Sequence, residues 1–130
     1  MSRTYEFLKE CGIFYVATIH ESAPAVRPFG AVMELDGELY ISTGKNKSVY
    51  TQLISNNMLQ IVALKTGTQD WIRIDGKAVE THDLDIKQAM LDACPGLAKR
   101  FKKDSEQFAL FKIMEMSSAI NVNGEFVKLS

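Results

Sequence analysis

The chain opens on a helical spacing of apolar positions. Phe7, Leu8 and Cys11 share one face of the segment Arg3 to Glu10, and Gly12 follows where a left-handed backbone costs glycine least. A short N-terminal helix is expected. From Ile13 the pattern changes to β-branched and aromatic residues. Ile13 to Ile19 predicts a first strand, Glu21 to Pro24 a turn, and Ala25 to Leu35 a second strand. Asp36-Gly37 then offers a pair that accepts positive φ at both central positions of a tight hairpin, so Glu38 to Ile41 pairs antiparallel with the preceding strand. Beyond the polar stretch Thr43 to Ser48, Val49, Leu53 and Ile54 mark a helix that ends near Asn56-Asn57.

Met58 to Lys65 predicts a fourth strand, Thr66-Gly67-Thr68 a turn, and Trp71 to Glu80 a fifth strand. Asp75-Gly76 inside it has two readings, a hairpin turn or a bulge in one long strand, and the extended pattern on both sides favours the bulge. Asp83 or Asp85 caps a helix carrying Ile86, Ala89, Met90 and Ala93, which Pro95-Gly96 breaks before Leu97 to Phe101. Phe108 to Met116 and Ala119 to Val122 close the chain as strands, with a turn at Asn123-Gly124 before Phe126 to Leu129. Six or seven strands with two or three helices, and no βαβ alternation, predict a mainly β fold with flanking helices. The expected architecture is a closed or nearly closed antiparallel β-barrel in a single domain over residues 1–130, without repeats or linkers.

Composition narrows the function. The 130 residues are 46% hydrophobic and 24% charged, enough for a core without disulfides. Fifteen Lys plus Arg against sixteen Asp plus Glu give a net charge of −1, which lacks the positive field of a nucleic-acid binder. The start of the chain has no signal-peptide pattern, and runs such as Ile61 to Leu64 are too short to cross a membrane. The expectation is a cytoplasmic protein with Cys11 and Cys94 reduced. No metal is expected either, because His20, His82, Cys11 and Cys94 show no ligand-like spacing. The eight glycines never form GxGxxG, Gly44-Lys45 lacks the rest of a P-loop, and no GxSxG is present. The run Lys99-Arg100-Phe101-Lys102-Lys103 reads as a solvated helix end.

Three features are left. The loop Ser42 to Ser48 sets three hydroxyls, a glycine and two lysines at a helix N-terminus, where a phosphate would meet donors, charge and the helix dipole. The same loop also reads as a plain solvated connection. Arg27-Pro28-Phe29-Gly30 puts a proline and a glycine into a strong strand, which suits an edge or a surface approached by something flat. Trp71 alternates with Arg73 on one face, as in a core, a subunit interface or a ligand wall.

In their order and spacing these features resemble the pyridoxamine 5'-phosphate oxidase-like FMN-binding split-barrel proteins, and among them the small flavoproteins associated with nitroimidazole reduction and resistance. The resemblance is carried by Phe7 to Gly12 with Phe14 to Thr18, Val26 to Val32, Leu39 to Thr43, Lys47 to Gln52, Asn56-Asn57 and Trp71 to Ala78. It implies a homodimer with two FMN sites at the subunit interface. By position, Arg27, Pro28, Phe29 and Gly30 would line the flavin ring and ribityl chain, followed by Ile41, Ser42 and Thr43. Lys47 and Ser48 match the phosphate-binding pair, although relatives often carry a basic residue where Ser48 stands. Gln52 lies on the next helix, and Trp71 stands where related oxidases place a glutamine beside the flavin, with Arg73 approaching from the partner subunit. The resemblance also places Asp75-Gly76 within a continuing strand.

Departures limit what the resemblance carries. Pyridoxamine phosphate oxidases continue into a segment with substrate-binding arginine and histidine, whereas this sequence closes on Gly124 to Ser130, and a lysine of theirs is Val32 here. Their specific activity is therefore not expected. The expected function is an FMN-dependent oxidoreductase passing electrons from a nicotinamide or protein donor to a small acceptor, a nitro compound among the candidates. The alternatives are a non-catalytic flavin-binding or electron-carrier protein, and a relative that has exchanged FMN for haem or lost its cofactor. No residue marks a catalytic acid, base or nucleophile.

Overall fold

The computed structural model describes residues 1–129. Its elements run α1 (Arg3–Cys11), β1 (Phe14–His20), β2 (Ala23–Phe29), β3 (Val32–Leu35), β4 (Glu38–Gly44), α2 (Ser48–Ser55), β5 (Met58–Leu64), β6 (Trp71–Thr81), α3 (Leu84–Ala93), α4 (Pro95–Ala98), β7 (Phe108–Val122) and β8 (Glu125–Lys128). All strands pair antiparallel in one eight-stranded sheet of order β2-β1-β5-β6-β7-β4-β3, with β8 added beside β7.

The two edges of this sheet, β2 and β3, are separated only by Gly30 and Ala31. Three backbone steps span at most about 11 Å, so the sheet has to curl until its edges come together. The edges nevertheless share no ladder among the described residues. The result is a barrel split along the β2/β3 seam, mainly antiparallel β with helices outside, as the sequence predicts.

Strand alternation sorts the apolar residues into two sets. Phe14, Val16, Ile41, Ile61, Ile72, Ile74 and Phe111 fill the barrel, and Leu8 of α1 and Leu53 of α2 join the same cluster. On the outside, Met33, Tyr40, Phe108 and Leu110 pack against Met90, Leu91 and Leu97 from α3 and α4.

Several boundaries differ from the sequence reading. The expected second strand, Ala25 to Leu35, breaks at Gly30-Ala31 into β2 and β3, because its residues serve opposite edges of the barrel. Ala23 and Pro24 belong to β2 and not to the turn, paired with His20 and Ile19. Proline is tolerated there because β2 is an edge strand. Phe108 to Val122 is one strand in place of two, which offsets the split of the second strand, and with β8 the described strands number eight. Pro95 starts the short helix α4 while ending α3.

The Asp75-Gly76 conflict resolves into one long strand with an irregularity, as expected. Asp75 faces Ser117 and Lys77 faces Met114, so the extra residue lies on β7, where Glu115 takes φ 51°. Gly76 is required there: a Cβ would come within 2.5 Å of Ile113 Cγ2 and 3.2 Å of the Met114 carbonyl oxygen. Asp83, and not Asp85, caps α3, its Oδ1 accepting from the amides of Asp85 at 2.9 Å and Ile86 at 3.2 Å. The Asp36-Gly37 hairpin takes positive φ at both residues, 51° and 79°.

Candidate functional site

The β2/β3 seam and the β4-to-α2 loop open onto one cleft of about 1590 Å³. The loop is tight, with Lys47 N–H donating to the Gly44 carbonyl at 3.0 Å and Lys45 N–H to the Gln107 carbonyl at 2.8 Å. A Cβ on Gly44 would meet Asn46 Oδ1 at 2.7 Å, so glycine lets the loop fold back on itself. Lys47 occupies the N-cap of α2 and offers no side-chain acceptor, and the first turn contains no acidic residue. This helix start therefore keeps its partial positive charge facing outward. Ser42, one strand earlier, is buried with its hydroxyl on no partner. It too lines the cleft. A buried hydroxyl without a hydrogen bond is costly unless something else supplies one.

Arg27 is held by its own barrel. Its guanidinium donates to Thr18 Oγ1 at 2.7 Å, Gln52 Oε1 at 2.6 Å and the Val16 carbonyl at 3.2 Å. Thr18 Oγ1 in turn donates to Gln52 Oε1 at 2.6 Å. Thr18 and Gln52 are buried, and desolvation lowers the Arg27 pKa. This network pins β2 to β1 and α2, so the edge strand keeps its place beside the seam. On the far side of α2, Tyr50 donates to Glu80 Oε1 at 2.9 Å, and burial together with that carboxylate raises the Tyr50 pKa. The second Glu80 oxygen is buried without a partner.

Of the residues singled out from sequence, Arg27, Pro28, Phe29, Gly30, Ser42, Thr43, Lys47 and Ser48 line this cleft together. The others lie elsewhere. Ile41 is fully buried in the barrel. Gln52 sits beneath Arg27 and lines, with Ser48, a smaller neighbouring cleft of about 520 Å³. Trp71 and Arg73 are on the outer face of β6, where the Trp71 and Phe126 rings meet edge-on at 5.2 Å and the guanidinium lies 4.9 Å from the Phe126 centroid. Lys9, Cys94, Leu97, Arg100 and Phe101 also line the cleft, and none of them stands out as a site residue in the sequence. The one sequence signal among them is the basic run from Lys99, which contains the exposed Arg100 and the half-buried Phe101. Cys94 donates from Sγ to the Val32 carbonyl at 3.5 Å, and burial raises its pKa.

Among the described residues no group of three or more His, Cys, Asp or Glu stands ready to hold a metal, and no helix is long and apolar enough to cross a membrane.

The family profile of pyridoxamine 5'-phosphate oxidase matches residues 3–118. The chain belongs to this family. Among solved structures of the pyridoxamine 5'-phosphate oxidase fold, a NimC/NimA family protein from Clostridium acetobutylicum is 35% identical, with 98% of this chain and 89% of that one covered and a TM-score of 0.92. At that identity and coverage the chain also belongs with the NimC/NimA proteins. A candidate 5-nitroimidazole antibiotic resistance protein from Bacteroides thetaiotaomicron is 17% identical over 91% of this chain and 82% of its own, with a TM-score of 0.67. A heme binding protein from Mycobacterium smegmatis is 12% identical over 98% of this chain and 58% of its own, with a TM-score of 0.75. The last two are likenesses of fold. No curated protein matches the sequence.

Proposed function

We propose that this chain is a cytoplasmic, single-domain flavoprotein that binds FMN in the seam cleft as a homodimer. It passes electrons from a nicotinamide or protein donor to a small acceptor, with nitro compounds as one candidate class. The observation that carries this reading is the buried, unpartnered Ser42 hydroxyl beside an uncapped helix start whose N-cap is Lys47. Hydroxyl, ammonium and helix dipole converge there, which is the donor set a phosphate monoester needs. Ser48 adds a second hydroxyl at the first helical position.

When bound, FMN supplies the electron chemistry. The protein's part is to bind and orient. Lys47 and Ser48 hold the phosphate, Ser42 and Thr43 take the polar chain, and Pro28 to Gly30 present a flat strand edge to the ring. Arg27 acts through Thr18 and Gln52, which keep that edge in place. Trp71 and Arg73 lie on the far outer face, so they would reach a flavin only from a second subunit. Their half-buried, mixed apolar and cationic surface suits such a contact.

Absorption of the purified protein tests the cofactor directly. Flavin bands are expected, and a Soret band or no visible band would overturn the assignment. Lys47→Ala should weaken FMN by about 1.5 to 3 kcal/mol while barely changing riboflavin, the range for a charge-assisted hydrogen bond. Equal losses for both flavins would remove the phosphate site from Lys47.

A further inference from the structure

Two cations in the cleft remain without a task once the phosphate end is assigned. Lys47 belongs to that end, and Arg27 is engaged by Thr18, Gln52 and backbone carbonyls. Lys9 from α1 and Arg100 from the segment after α4 also line the cleft. Neither forms an ion pair or a side-chain hydrogen bond among the described residues. Glu106 is the one acidic residue on the cleft lining. The Lys9 and Arg100 side chains are both solvent-exposed.

Beside Arg100 the cleft lining is apolar. Leu97 is buried, and the Phe101 ring stacks on Phe108 with centroids 5.1 Å apart and planes at 22°. The Arg100 guanidinium lies 5.7 Å from the Phe101 centroid. A cleft of about 1590 Å³ is also larger than a single small-molecule site usually requires, so a second molecule has room beside a bound flavin. Like charges gathered in a concave, partly apolar site focus their field on whatever enters.

The geometry points to a substrate that is a planar anion, its flat body against Leu97 and Phe101 and its carboxylate or phosphate between Lys9 and Arg100. This rests on the reading that FMN occupies the phosphate end of the same cleft. A neutral planar molecule would gain the apolar wall and nothing from the two cations.

The test compares benzoate with its neutral isostere benzamide by calorimetry on the purified protein, with bound FMN quantified by absorbance in the same sample. Benzoate is expected to bind roughly fivefold to tenfold more tightly, as two partly solvated ion pairs allow, and the gap should narrow as salt is raised. Lys9→Gln combined with Arg100→Gln should bring the two probes to equal affinity. Lys102→Gln with Lys103→Gln, outside the cleft lining, should leave the gap intact. Phenyl phosphate run alongside tells whether the site favours a phosphate or a carboxylate. Equal binding of benzoate and benzamide to the unmodified protein, or a gap that survives loss of Lys9 and Arg100, would overturn the proposal. Calorimetry needs no flavin turnover, so a protein that holds no FMN would defeat the cofactor reading and still decide this one.

Discussion

The two halves of β7 belong to one strand of one sheet, yet their outer faces differ completely. From Phe108 to Phe111 every residue is buried, because the barrel takes Ala109 and Phe111 while α3 and α4 cover Phe108 and Leu110. Beyond the bulge at Glu115, Ser118 and Ile120 are buried while Ser117 is exposed and Ala119 and Asn121 are only half-buried. Among the described residues, helix α1 meets that second half through the buried pair Thr4 Oγ1 and Ser118 Oγ, 2.7 Å apart, and the half-buried residues alternating with Ser118 and Ile120 have no such cover. Its neighbours across the sheet leave Tyr15 49%, Leu64 56% and Phe126 48% exposed, with Trp71 and Arg73 among them. One outer face is finished by the chain itself; the other carries an apolar surface of the kind that marks an interface. The covered half frames the cleft, and the uncovered half is where a second subunit is proposed to sit.

The largest effect should come from the covered half. Phe108 is fully buried and stacks on Phe101, so Phe108→Ala removes an aromatic ring from a site closed on both sides. A loss of about 3 to 5 kcal/mol is expected, read from urea unfolding with an unchanged slope. A loss below about 1 kcal/mol would mean that α3 and α4 cover this face only loosely. At the boundary between the halves, Gly76→Ala forces a methyl onto Ile113 and the Met114 carbonyl. It should cost about 1 to 3 kcal/mol, and a neutral outcome would show that the bulge yields freely.

These two sites also show what the sequence makes legible. The barrel strands announce themselves through period-two alternation, and the hairpins through Asp36-Gly37 and Asn123-Gly124, since both are local signals. The seam is different. Nothing in the run from Ala25 to Leu35 says that its two ends serve opposite edges of a sheet, because that follows from strand order and not from local preference. The same limit explains the cleft: the β2 edge and the Lys47 loop stand out in sequence, whereas Lys9, Cys94 and Arg100 come from distant segments and meet only through the fold. Four consecutive buried residues at Phe108 to Phe111 likewise carry no alternation, because each side of the strand is covered.

A smaller effect should follow from loosening the cover. Asp83 accepts two amide hydrogen bonds at the start of α3. Asp83→Ala should cost about 1 kcal/mol, the usual value of an N-cap, and hydrogen exchange should speed up in α3 before it changes in the barrel. Uniform acceleration throughout the sheet would mean that the helix and the barrel open as one unit.

The smallest effect on the fold, and the sharpest test of the uncovered face, is expected from Leu64→Lys. Leu64 is 56% exposed on β5 and pairs with Trp71 of β6. A lysine there can lay its aliphatic stem along the sheet and keep its ammonium in water, so the barrel itself should change by no more than about 0.5 kcal/mol. In a subunit interface the same ammonium has no water and sits near the Arg73 guanidinium, where like charges repel. The unmodified protein is therefore expected to sediment at twice the 14.6 kDa chain mass, and the variant at the chain mass with its far-ultraviolet spectrum intact. If the variant sediments with the unmodified protein, at either mass, the second half of β7 is not where subunits pair. Trp71 and Arg73 would then be too far from the cleft to serve a flavin, leaving cofactor binding to the seam and the Lys47 loop alone.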